Sequence, residues 1–170
     1  NHEEWLITWL RGGGFDDWAL RPSMGGLNTL ASYGICGCGQ RAQEIEGQAW
    51  RIPHAHRQWL MGLALAGDLE VAGEKFWVIH AGVPRDAAEL GIPREQVVPW
   101  LAQHRARELL CGSTVAEDMP KLDRPILCGH LPRTQAVDLG HVVALDTGSG
   151  TVPGGRLSAL LLPERRLVSA

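Results

Sequence analysis

Cysteine is scarce, with four residues in 170: Cys36, Cys38, Cys111 and Cys128. They are too few and too irregularly placed to staple a disulfide scaffold. They also lack the paired C-x-x-C or Cys/His spacing of a structural zinc site. Reduced thiols in a cytoplasmic protein are the expectation. A small metal or redox role for Cys36-Gly37-Cys38, inside the glycine-rich run Gly34–Gly39, is the alternative. No apolar run approaches the roughly 18 residues that cross a bilayer. Charge of neither sign is concentrated. The 16 basic and 19 acidic residues give a net charge of −3 without a block of either kind. That excludes the electrostatic footprint of a nucleic-acid polymer or a polybasic membrane anchor as a partner. Signal-peptide patterning, internal repeats and low-complexity tracts are absent as well. Phe and Tyr are rare, two and one, against seven Trp. The Trp residues read as core and pocket material.

What is present suits a globular domain. Hydrophobic residues make up 45% and charged residues 21%, an ordinary balance, and the length fits a single domain over 1–170. Trp5, Leu6, Trp9 and Leu10 share one helical face in residues 3–12, with Glu3 and Glu4 in the first turn where the helix dipole favours acids. The triple glycine at 12–14 ends that helix. Further helices are expected at 17–20, 27–33, 54–66 and 94–110, with a loop over 34–53. Strands are expected at 75–80, 125–129 and 142–146, and a closing hairpin pairs 157–162 with 166–168 around Pro163-Glu164. The class is therefore α/β or α+β.

The chemistry-bearing residues sit at strand ends. His80 follows one strand and precedes Ala81-Gly82. His130 follows another strand and Gly129. Asn1-His2 stands directly before a helix. Ligands collect outside the carboxyl ends of strands in open α/β sheets, and imidazole nitrogens with an amide oxygen suit Mn²⁺, Fe²⁺ or Zn²⁺. His54, His56, His104 and His141 read as surface or hydrogen-bonded residues. His54 and His56, two apart, do not share a helical face.

Several stretches together resemble one family. They are Asn1-His2-Glu3, Val78-Ile79-His80-Ala81-Gly82-Val83-Pro84, Cys128-Gly129-His130-Leu131-Pro132, and Leu145-Asp146-Thr147-Gly148 followed by Gly154–Leu160. In order and content they resemble the Gly-Asn-His-Glu, His-Ala-Gly, Gly-His-Thr-Pro and closing Asp-Thr-Gly motifs of the calcineurin-like metallophosphoesterases. The likeness is nearest the PPP-type Ser/Thr protein phosphatases and their bacterial relatives, including the symmetrical dinucleoside tetraphosphatases. Gly26–Gly34 also fits the bacterial branch, and Leu131 stands where Thr is usual.

The resemblance implies a two-sheet sandwich flanked by helices and a manganese-, iron- or zinc-dependent hydrolase of phosphate esters. Asn1, His80 and His130 would bind one metal of a pair. His2 would be the general acid protonating the leaving oxygen, and a metal-bridged hydroxide would attack phosphorus. The substrate would be a phosphoprotein or a nucleotide-type phosphoester. The chain opens on Asn1 rather than Met, and the family's early Asp-x-His and Gly-Asp-x-x-Asp-Arg motifs do not occur in it. The expectation is that these lie before Asn1. The fold would then be N-terminally incomplete, and the chain alone would hold at most one incomplete metal site and be inactive. Trp100-Leu101-Ala102 stands where bacterial relatives carry Trp-Ile-Arg, so Arg105 or Arg107, one helical turn on, could take the phosphate-gripping role, with Arg133 and Arg85, each just after a histidine motif, as alternative rim cations; Arg105 and Arg133 are the phosphate-binding candidates. The 111–124 stretch is a candidate lid.

Two other readings differ in class. One is a non-catalytic binding or regulatory module on a phosphoesterase scaffold. The other is a dimeric aspartic protease using Asp146-Thr147-Gly148, which needs two aspartates sharing a proton and so two copies of the chain.

Overall fold

In a computed structural model, residues 1–35, 45 and 47–170 are described. Cys36 and Cys38 lie outside them. The chain divides into two compact units, Asn1–Leu63 and Ala64–Ala170.

The first unit is helical. Helix α1 covers His2–Leu10, α2 covers Gly26–Ser32 and α3 covers His54–Met61, with 3₁₀ turns at Asp17–Leu20, Pro22–Met24 and Ala49–Arg51. Its core gathers Trp9, Phe15, Ala19, Leu20, Leu30, Ile35, Ile45 and Ile52. Trp9 meets Phe15 edge to face at 5.5 Å, a geometry that aligns ring edge with ring face charge. Gly26 has a packing reason: a Cβ there would lie 2.1 Å from the Ala19 carbonyl oxygen. Only glycine lets α2 start so close to the 3₁₀ turn Asp17–Leu20.

The second unit holds a five-stranded mixed sheet. Its strands are β1 (Ala66–Val71), β2 (Glu74–Ile79), β3 (Ile126–Cys128), β4 (Val137–Asp138) and β5 (Val142–Ala144), in the order β1-β2-β3-β5-β4. β2, β3 and β5 run parallel, and β1 and β4 pair antiparallel at the two edges. A separate hairpin joins β6 (Ser158–Leu161) to β7 (Arg166–Ser169). The fold is thus mixed α+β, with helices α4 (Arg94–His104) and α5 (Ala106–Cys111) in this unit.

Register explains the two faces of the sheet. Trp77 aligns with Ile126 and Val142, and Cys128 with Ala144. These residues, with Ile79, pack against Val97, Val98, Leu101 and Leu109 of α4 and α5. The alternate residues Phe76, Leu127 and Val143 pack against Leu160, Leu162 and Leu167 of the hairpin. Period-two alternation therefore feeds two apolar layers from one sheet.

Two expected elements differ from those found. The helix foreseen over 54–66 stops at Met61, with Gly62 as its C-cap. Ala66–Val71 instead becomes edge strand β1, which turns into β2 through Ala72 and Gly73 at φ +52° and +83°. Two consecutive left-handed residues match the twist of a tight hairpin. The helix foreseen over 94–110 is two helices. Arg105 breaks it at φ −139° and ψ 40°, where its guanidinium binds Asp86 and Glu108.

Candidate metal centre

The parallel alignment of β2, β3 and β5 brings three carboxyl ends to one edge of the sheet. The next residues along the chain are His80, Gly129-His130 and Leu145-Asp146. The backbone continues the pairing past the strands: Gly129 N donates to the His80 carbonyl at 2.8 Å, and Leu145 N donates to the Cys128 carbonyl at 2.8 Å. A Cβ at Gly129 would sit 3.5 Å from the Asp146 Cβ and 3.8 Å from the His80 carbonyl oxygen. The three ends are thus in contact through the glycine.

This places two of the expected ligands together. The imidazoles of His80 and His130 have ring centroids 4.9 Å apart, tilted by 58°. His80 is exposed and His130 half-buried. His130 adopts φ +68°, and Leu131 N donates to the Gly129 carbonyl at 2.8 Å around it. That is a three-residue γ-turn with positive φ at its centre, a rare and strained conformation for a residue with a Cβ.

Asn1 and His2 belong to the first unit. Asn1 is the N-cap of α1, and its side chain makes no capping hydrogen bond. His2 is exposed, and its ring lies 4.7 Å from that of Trp5. It lines a cavity of about 540 Å³ with Trp5, Phe15, Tyr33, His56 and Trp59 among its walls. His56 hydrogen-bonds to the Tyr33 hydroxyl at 3.0 Å. Elsewhere, His104 Nδ1 lies 2.9 Å from the Trp100 carbonyl and His141 Nε2 lies 3.1 Å from that of Met119.

The two candidate phosphate-binding arginines are both held by carboxylates. Arg105 forks onto Asp86 at 3.0 and 3.1 Å and reaches Glu108 at 2.7 Å. Its hydrogen bond holds the Asp86 carboxyl below the usual range. Arg133 forks onto Glu117 at 3.0 and 2.5 Å and lowers that carboxyl in the same way. Arg85, just past the His80 motif, pairs with Asp118. Sequence reading missed Glu117 and Asp118, because no local pattern links the 3₁₀ turn Ala116–Asp118 to arginines distant in the chain.

Asp146 serves the local turn. Its Oδ1 accepts from Gly148 N at 2.8 Å, and its carbonyl accepts from Arg133 N at 3.0 Å. The Thr147 hydroxyl donates to the Arg156 carbonyl at 2.6 Å. Cys128 is buried behind the His130 turn, and burial pushes its thiol up to about 11, so it stays protonated near neutrality. Among the described residues, no three His, Cys, Asp or Glu side chains gather as a candidate cation cluster.

The chain matches neither a protein-family model nor a characterised protein in comparison.

Proposed function

We propose that this chain carries part of the divalent-cation site of a phosphoester hydrolase of the calcineurin-like metallophosphoesterase type. One observation carries the reading: the strained His130 turn sets its imidazole 4.9 Å from that of His80 at the carboxyl edge of a parallel sheet. Metal–nitrogen bonds of about 2.1 Å at tetrahedral or octahedral angles put two ligating imidazoles about 5 Å apart, centre to centre. The centroid spacing of the pair is of that order, and imidazole nitrogens suit a borderline cation such as Mn²⁺, Fe²⁺ or Zn²⁺.

His80 and His130 would hold this cation through their ring nitrogens. When bound, such a cation polarises a phosphoryl oxygen and lowers the pKa of water. The chain's own residues do the rest. Arg133 steers and grips the phosphoryl group. The facing arrangement of the five-stranded sheet and the β6–β7 hairpin across Phe76, Leu127 and Val143 supports the two-sheet sandwich of that family.

The test is isothermal titration of the protein with Mn²⁺, followed by hydrolysis of p-nitrophenyl phosphate with and without the metal. Mn²⁺ binding that disappears in His130→Ala supports the site, and Mn²⁺-dependent turnover supports the hydrolase. Binding without turnover favours the non-catalytic module. Mn²⁺ binding unaffected by His130→Ala sinks the whole reading.

A further inference from the structure

The two histidine motifs are each followed by an arginine: Arg85 after His80-Ala81-Gly82-Val83-Pro84, and Arg133 after His130-Leu131-Pro132. Consecutive residues of one 3₁₀ turn hold both of them, Glu117 on Arg133 and Asp118 on Arg85. The turn is fastened from beneath. Ala116 and Met119 on either side of the acidic pair are each 4% exposed, and the Met119 carbonyl lies 3.1 Å from His141 Nε2. Met119 also packs so close over Gly82 that a Cβ there would meet its Cε at 2.2 Å. The backbone of the turn is therefore fixed, while its two carboxylates lie at the surface.

We propose that Arg85 and Arg133 form an anion site for a phosphoryl dianion, and that Glu117 and Asp118 are built-in occupants which the ligand displaces. This rests on the phosphoester reading above and names what controls access to it. The pairing is suited to displacement. Arg133 offers Glu117 a two-pronged contact, the geometry with which a guanidinium also takes a phosphoryl group. A phosphoryl dianion carries more charge than one carboxylate. The occupants are weakly held, because Glu117 is 48% and Asp118 42% exposed and water screens both pairs. The fastened turn lets the carboxylates swing aside by side-chain rotation alone. With both acids in place the two cations are neutralised, so the rim does not gather stray anions.

The experiment is calorimetric titration with inorganic phosphate in EDTA at low salt, which needs neither metal nor turnover. Glu117→Gln frees Arg133, and phosphate should bind about three- to fivefold tighter than to the unsubstituted protein, the scale of a solvent-exposed ion pair. Arg133→Ala added to Glu117→Gln should abolish the gain. Phenyl phosphate gaining as much marks an ester as the ligand, and inorganic phosphate alone gaining marks the released product. Unchanged or weaker binding to Glu117→Gln overturns the proposal, as does a gain that survives Arg133→Ala. If Glu117→Gln lowers the melting temperature, Glu117→Asp retracts the carboxylate with its charge intact and faces the same outcomes. Phosphate binding that behaves as expected, beside absent Mn²⁺-dependent hydrolysis, leaves the anion site standing and removes the hydrolase reading.

Discussion

The backbone N–H of Gly129 donates to the carbonyl of His80 at 2.8 Å, carrying the β2–β3 pairing one step past the strands. That bond sets the start of the γ-turn and aims the His130 ring at the His80 ring. The sheet thus fixes the spacing of the two imidazoles, and the turn supplies their relative tilt.

The turn separates what His130 does for binding from what it costs the fold. His130→Gly and His130→Ala both remove the imidazole, and both should weaken Mn²⁺ binding at least about tenfold, as loss of even a supporting residue does at a metal site. They differ in backbone. At φ +68° glycine is unstrained, whereas a Cβ costs about 1 kcal/mol. The glycine variant should therefore be the more stable of the two by about that amount in urea denaturation. Equal stability would mean that the positive φ carries no strain.

Gly82 is the tightest glycine beside the site. It combines φ +112° with a virtual Cβ 2.2 Å from Met119 Cε and 2.6 Å from its Sδ. Gly82→Ala should cost about 2–4 kcal/mol, overpacking and backbone strain together. Met119→Ala in the same protein relieves the clash but not the strain. A double-mutant cycle should accordingly return a coupling of at least about 1 kcal/mol. Additive costs would place the clash elsewhere.

The histidine pair was legible because each ligand motif is local, an apolar strand followed at once by His and Gly. Parallel order then brings both ends to one edge. β1 was not legible. Leu63-Ala64-Leu65-Ala66 continues the apolar content of α3, and only the Gly62 cap and the left-handed Ala72-Gly73 turn reveal the change of element. The helix break at Arg105 was hidden for another reason. Arg105 there pairs with Asp86, a tertiary contact that no periodicity within 94–110 encodes. The Glu117–Arg133 and Asp118–Arg85 pairs were invisible on the same ground. They exist only once the chain returns to the carboxyl edge.

Asp146 is the acceptor of a turn, through Gly148 N. Asp146→Asn keeps an oxygen for Gly148 N and should leave stability within about 0.5 kcal/mol. Asp146→Ala leaves that donor without its partner and should cost about 1 kcal/mol. Guanidinium denaturation of the two variants decides the matter. An Asp146→Asn protein as unstable as Asp146→Ala would assign the charge itself a role.

The hairpin is tied to the sheet by Arg165, whose guanidinium reaches Asp138 at 2.7 and 2.9 Å and Glu74 at 3.0 Å. These acids belong to β4 and β2, on opposite sides of the sheet order, so one side chain spans the layer that the hairpin covers. Burial of Asp138 works to raise its carboxyl, but the Arg165 hydrogen bond and the Gly140 N–H outweigh it and hold the group below the usual carboxylate value. The sign follows. In acid the unfolded chain binds the proton that folded Asp138 resists, so stability rises with pH through that range. The contribution is complete above about pH 5, beyond the ordinary carboxylate titration, and fades as pH falls through the depressed value. Arg165→Ala should lower stability by about 1–2 kcal/mol at neutral pH, the scale of charge-assisted hydrogen bonds that are mostly shielded from water. Between about pH 5 and pH 3 the difference between the two proteins should shrink, since protonation of Asp138 removes in the native chain what the substitution removes outright. Urea midpoints measured across that range test this. A stability difference that holds constant into acid would trace the role of Arg165 to its packing over Phe76, 5.9 Å from the ring centroid, instead of to its ion pairs.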